Sequence, residues 1–166
     1  KMEQASDICE AAGAVDVLEA DERIWSMRRN CLESVSLISK VCTTDDVVVP
    51  VDEMSDMIQY IIKTVAKYPF PLRINAHIGD GNLHIVLCKL DLSDKEWESE
   101  LSHFTEEVYT YAYAHGGRLS GEHGIGSKKA HFLERFTPGG ELELMRKLKK
   151  AWDPNNILNP GKVFNL

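Results

Sequence analysis

Two histidines and a neighbouring acid–imidazole pair are the residues of this chain best suited to chemistry. His77 and His84 flank Asp80-Gly81, and aspartate followed by glycine between alternating segments is a strong signal for a two-residue hairpin turn. That turn would pair Gly79 with Asn82, Ile78 with Leu83, and His77 with His84. One face of the ribbon then collects Ile78, Leu83, Ala76, Ile85, Ile74 and Leu87, the apolar and core-facing side. The other face carries Asn75, Val86 and the two imidazoles. Directly opposed residues have Cβ atoms about 4.5–5.5 Å apart, near enough for two imidazoles to share one metal ion. The plainer reading is a pair of neutral histidines on a solvated sheet face.

The second set lies in Ser120-Gly121-Glu122-His123-Gly124-Ile125-Gly126. Adjacent residues of an extended chain point to opposite faces, so Glu122 and His123 serve one site only if the backbone bends, which the glycines permit. Glu122 would then complete a set of two imidazoles and one carboxylate, with positions left open for water or substrate. Zinc is the first choice of metal, manganese or iron the next. His123, unligated, would act as a base near neutral pH. The alternative is a glycine-rich turn with a solvated Glu-His pair. His103, His115 and His131 have no companion at ligand spacing and read as surface or capping residues, and Lys128 and Lys129 read as a solvated face.

These segments need a scaffold, and hydrophobic periodicity outlines one. Helical spacing covers residues 2–12, closed by Gly13, and residues 22–40. Residues 14–18 and 46–51 read as strands, and 54–67 returns to a helix with Met54, Met57, Ile58, Ile61 and Val65 on one face. Residues 72–88 form the hairpin. Ser93 with Glu96 is a capping-box signature for a helix whose buried stripe is Trp97, Leu101, Phe104, Val108 and Tyr111. A short strand at 118–120 precedes the glycine loop, and Leu142, Met145 and Leu148 mark a last amphipathic helix. The tail DPNNILNPGKVFNL should be ordered only by packing against something else. The expected class is α+β, with helices laid over a mainly antiparallel sheet.

Composition narrows the function. The 166 residues, 43% hydrophobic, suit a single domain, and a net charge of -7 with no clustered basic patch argues against nucleic acid. Cys9, Cys31, Cys42 and Cys88 form no C-x-x-C pair, so neither a disulfide framework nor a thiolate zinc site is indicated. No apolar run is long enough for a transmembrane segment, and a cytoplasmic location follows, with any membrane association made through partners. Strings diagnostic of serine hydrolases, P-loop NTPases and zincins are missing from the sequence. Lys1 opens on what reads as the middle of a helix, as a fragment would.

HIGDGNLH, SGEHGIG some forty residues later and the closing DPNNILNPGK together resemble the C-terminal domain of the FAD-linked oxidase family, which includes the glycolate oxidase D subunit, D-lactate dehydrogenases and D-2-hydroxyglutarate dehydrogenase. The resemblance runs from near Val15 to the tail. It implies a ferredoxin-like cap domain spanning residues 1–166, with the N-terminal FAD-binding domain absent from this chain. It further implies a metal at His77, His84 and Glu122, a catalytic base at His123, and substrate contacts from Arg28 and Asn82. In the tail, Asn159 to Lys162 would lie near the flavin. The expected reaction oxidises a small D-2-hydroxy acid to a 2-oxo acid with hydride transfer to FAD. The flavin would be reoxidised by an electron-transfer flavoprotein, a quinone or a partner subunit. Leu32 and Thr44 stand where the hydroxyglutarate branch has a threonine and a lysine, which favours lactate or glycolate over a dicarboxylate. This chain alone should not turn over substrate. The alternatives are a metal-stabilised interaction module and a metal hydrolase.

Overall fold

Leu83, Ile85 and Leu87 alternate along the strand Asn82–Cys88 (β3) with Asn82, His84, Val86 and Cys88, so one face of this strand is wholly aliphatic. A computed structural model describes residues 1–166, the side chains of Leu32 and Ser36 excepted. In it β3 is the middle of a three-stranded antiparallel sheet, flanked by Cys42–Val48 (β1) and Leu72–His77 (β2). The aliphatic face packs under two helices, Met54–Val65 (α4) and Asp94–Ala114 (α5), through Met57 and Ile61 from the first and Phe104, Val108, Tyr109 and Ala112 from the second. The class is α+β, with the helices over an antiparallel sheet.

Two compact units divide the chain, residues 1–38 and 39–166. The first contains the helices Met2–Ala11 (α1), Glu22–Arg29 (α2) and Cys31–Ser36 (α3). The strand expected at 14–18 does not form. Ala14 N–H bonds back to the Cys9 carbonyl at 2.9 Å and Val17 N–H to the Asp16 carboxylate at 2.9 Å, local bonds that replace a ladder. The single helix expected over 22–40 is two helices. Asn30, at φ -93° and ψ 6°, closes α2 and opens α3, and asparagine side chains compete with helical backbone bonding.

In the second unit the capping box at Ser93 is present, with Glu96 N–H donating to Ser93 Oγ at 3.3 Å and Ser93 N–H to Glu96 Oε2 at 3.0 Å. Tyr109 rather than Tyr111 fills the α5 stripe. Tyr111 instead stacks on Tyr60 with ring centroids 3.9 Å apart. Strand β1 begins four residues earlier than expected and ends at Val48, because Pro50 has no N–H to continue a ladder. Residues 118–120 contribute only a bridge from Arg118 to Val48.

After the glycine loop come Ala130–Phe136 (α6), which periodicity did not reveal, and Gly139–Trp152 (α7). The tail is held both by its own bonds and, as expected, by packing against the rest of its unit: Asp153 accepts from Ile157 N–H and Leu158 N–H at 2.9 and 2.8 Å, Phe164 is buried in the core, and Val163 N–H reaches the Gly126 carbonyl at 2.6 Å. Among the described residues no helix is long and apolar enough to cross a membrane.

Candidate metal centre

The hairpin differs from expectation in a way that leaves its faces intact. A two-residue I′ turn needs positive φ at both central residues, but only Gly81 has it, at +73°. The chain instead makes one 3-10 turn, Ile78–Asp80, closed by Gly81. The register moves by two, pairing His77 with Asn82 and Asn75 with His84. A shift of two keeps every side chain on its original face, whereas a shift of one would invert them. His77 and His84 are therefore diagonal rather than opposed, with ring centroids 5.1 Å apart. Ile78, expected in the core, is exposed in the turn. Gly81 is required twice over, since a Cβ there would lie 2.0 Å from the Val49 carbonyl oxygen.

Glu122 closes onto this pair. Its Oε1 lies 2.7 Å from His84 Nε2 and 3.2 Å from His77 Nε2. Gly121 makes the approach possible, because a Cβ there would come within 2.5–2.8 Å of the Asn82 side chain. His123 stacks on His84, with centroids 4.8 Å apart and planes 29° from parallel.

One residue organises the loop, and sequence reasoning missed it. Asp46, directly opposite His84 across β1 and β3, is 0% exposed. Its Oδ2 accepts three successive backbone N–H groups, from Gly121, Glu122 and His123, at 2.7, 2.8 and 3.1 Å. Ser120 Oγ donates to the same carboxylate at 3.0 Å and accepts from Gly124 N–H at 2.8 Å. Such a run of amides around one anion forms a nest. It turns Glu122 toward the hairpin and His123 onto the His84 ring, which answers how neighbours with opposed directions serve one place.

Lys129, expected on a solvated face, is 5% exposed. Its ammonium donates to Asp46 Oδ1, the Asp46 carbonyl and the Leu119 carbonyl at 2.8, 2.8 and 2.7 Å, and pairs with Asp45 at 2.5 Å. Asp45 also accepts from Tyr109 at 2.6 Å. Burial by itself would raise the Asp46 carboxyl, but the Lys129 bond and the amides of Glu122 and His123 outweigh it and hold the group well below the usual carboxylate range. The signal available in the sequence was Asp45-Asp46 inside a β-branched run, because aspartate is depleted from strands and a buried acid must be paired.

Do these donors suit a divalent ion? The ligand atoms of His77, His84 and Glu122 all lie within 4.8 Å of one another. Bonds of about 2.0–2.1 Å to a tetrahedral ion would set them roughly 3.4 Å apart, so the 3.2 Å between Glu122 and His77 is close to that spacing, while the 2.7 Å to His84 would have to open and the widest gap to narrow by side-chain rotation. Asn82 adds a second mark of a ligand site. It is 4% exposed, its Nδ2 is 3.4 Å from His84 Nε2, and its Oδ1 is buried with no partner among the described residues. A dry, unpaired acceptor costs about 1–3 kcal/mol, a penalty that a ligand hydroxyl or a water would remove.

Comparison with known proteins identifies the family. The family model described as FAD linked oxidases, C-terminal domain, matches residues 1–163. The chain belongs to this family. It is 36% identical over 167 residues to a D-lactate dehydrogenase of Anaerostipes hadrus and 34% over 168 residues to the glycolate oxidase subunit GlcD of Bacillus subtilis. It is also 33% identical over 146 residues to a D-2-hydroxyglutarate dehydrogenase of Stutzerimonas stutzeri. These matches cover 98%, 98% and 86% of the chain but 35%, 36% and 31% of the relatives, so the chain spans about a third of their length.

Of the remaining expected residues of this FAD-linked oxidase domain, Arg28 lies exposed on α2 in the first unit. Thr44 is on β1, where its carbonyl accepts from Lys128 at 3.0 Å. The side chain of Leu32 lies outside the described residues. Asn159, at φ +49°, and Lys162 are exposed on the tail and bonded to each other through the backbone at 3.2 Å, next to the Val163–Gly126 bond.

Proposed function

We propose that this is the substrate- and metal-binding domain of an FAD-dependent D-2-hydroxy acid dehydrogenase of glycolate or D-lactate type, working with an FAD-binding domain of the same protein. The observation that carries the reading is the meeting of His77, His84 and Glu122 with His123 stacked beside them. His77, His84 and Glu122 would hold the divalent ion, zinc first, which when bound supplies a positive charge that polarises the substrate hydroxyl. FAD would be held mainly by the other domain, with Asn159 and Lys162 contributing from this one, and when bound would supply the hydride acceptor.

The chain's own residues account for the rest. Oxidising a 2-hydroxyl to a carbonyl requires the hydroxyl proton to leave, and His123 takes it. Its Nδ1 faces the Asp46 carboxylate at 3.9 Å, so Nε2 is the atom left to receive a proton. Asn82 Oδ1 offers an acceptor to the ligand. A cavity of about 330 Å³ beside His123, walled by Thr44, Asp46, Gly124 and Lys128 but not by His77, His84, Glu122 or Asn82, has room for a three-carbon acid. The relatives' names, D-lactate dehydrogenase and glycolate oxidase subunit, support substrates of that size. A site used only for folding would be closed by four protein ligands, and the group among the described residues has three.

In the full-length protein, His123→Ala should abolish flavin reduction by D-lactate or glycolate while leaving the bound metal unchanged. Absorbance of the flavin under anaerobic conditions and elemental analysis read the two quantities. Loss of metal in step with loss of reduction would show that His123 is a ligand and not the base.

A further inference from the structure

Two of the four cysteines, silent as a sequence pattern, meet in the fold. Cys42 on β1 stands directly opposite Cys88 on β3. On the neighbouring rung Lys89 N–H bonds to the Val41 carbonyl at 2.9 Å, which makes 41 and 89 a hydrogen-bonded pair and 42 and 88 a non-bonded one. Non-bonded pairs of an antiparallel ladder bring Cα atoms to about 4.5 Å with side chains leaning together, inside the span a disulfide bridges. The two Sγ atoms are 3.2 Å apart. Both belong to the face that carries Asp46 and His84, with the Thr44 and Val86 pair between.

We propose that Cys42 and Cys88 form a reversible redox pair, closing to a cross-strand disulfide in the presence of a low-molecular-weight disulfide such as oxidised glutathione. Exposure sets the order of events. Cys42 is exposed, whereas Cys88 is 1% exposed and burial pushes its thiol up to about 11. The Cys42 thiolate attacks one sulfur of the oxidant and expels the first glutathione thiolate, leaving a mixed disulfide on Cys42. Cys88 then attacks the Cys42 sulfur and expels the second. Two protein thiols are oxidised, one glutathione disulfide is reduced to two thiols, and the two thiol protons pass to the leaving thiolates. Only a small closing motion of the two sulfurs is needed, since the backbone pairing is already in place.

The test is incubation of the reduced full chain with oxidised glutathione, followed by acid quench, alkylation and digestion without reductant. The expected product is a peptide joining Cys42 to Cys88 that dithiothreitol releases, accompanied by a rise in the thermal unfolding midpoint that the same reductant reverses. In Cys88→Ser the glutathione adduct on Cys42 should persist, because nothing displaces it. A lasting glutathione adduct on Cys42 of the unsubstituted chain, with no joined peptide, overturns the proposal. So does joining of Cys42 or Cys88 to Cys9 or Cys31 in preference to each other.

Discussion

The hairpin and the glycine loop both deliver side chains to one point, but they hold them by different physics. His77 and His84 are placed by a ladder of backbone bonds, in which many equivalent contacts fix the register and any one is dispensable. Glu122 and His123 are placed by a single buried carboxylate that gathers three amides, a hydroxyl and an ammonium. A ladder spreads its cost over many residues, whereas a nest concentrates it on one. The hairpin should therefore tolerate single changes that the loop does not, except where its own turn depends on one glycine.

Asp46→Asn is the sharpest way to break that asymmetry. The amide keeps one acceptor but removes one of the two carboxylates paired with Lys129, leaving Asp45, and turns an NH2 toward groups that are themselves donors. Removing one partner of a buried ion pair typically costs about 3–5 kcal/mol, and chemical denaturation of this chain should show a loss of that order. The metal proposed at His77, His84 and Glu122 should weaken with it, since Glu122 is no longer aimed, and titration with zinc would read the change. Stability within 1 kcal/mol of the parent, a margin well under the roughly 3 kcal/mol expected, would mean that the loop has another anchor.

Gly81→Ala tests the hairpin's exception. The residue would be held at φ +73° with its Cβ 2.0 Å from the Val49 carbonyl oxygen, and both strain and overlap disfavour it. Together they should cost about 2–3 kcal/mol, less than Asp46→Asn because the ladder from Leu72 to Ala76 can keep its register while the turn shifts. Denaturation measures the cost, and amide exchange along β3 shows whether the ladder holds. Full exchange of Ile85 and Leu87 amides would show that the turn, not the ladder, carries the register.

Sequence periodicity disclosed the faces of the site better than its geometry. The even register shift at the hairpin left His77 and His84 together although their partners changed, because face membership depends only on parity. The capping box at Ser93 and the α4 stripe were legible because each is a local rule with a local cause. The nest was not, since its carboxylate lies 75 residues from the Gly121 amide it binds and nothing local marks Asp46 as its partner. Lys129 reads as a surface residue for the same reason: a lysine beside a lysine gives no hint that one of them caps the edge of β1. The strand expected at 14–18 failed because an apolar run specifies a strand only when a ladder partner exists, and there the backbone bonds are made locally.

Ser120→Ala makes the smallest break and isolates one spoke of the nest. It removes the hydroxyl that donates to Asp46 and accepts from Gly124 N–H, but leaves the three amides and Lys129 on the carboxylate. Losing such a bond at a partly exposed position should cost about 1 kcal/mol, with the Gly124 amide turning to water. Because Glu122 and His123 keep their own bonds to Asp46, zinc affinity should change by less than the roughly tenfold that loss of a supporting partner usually brings. A drop as large as that of Asp46→Asn would move the weight of the loop from the carboxylate to the hydroxyl, and the contrast between ladder and nest would have to be redrawn with Ser120 at its centre.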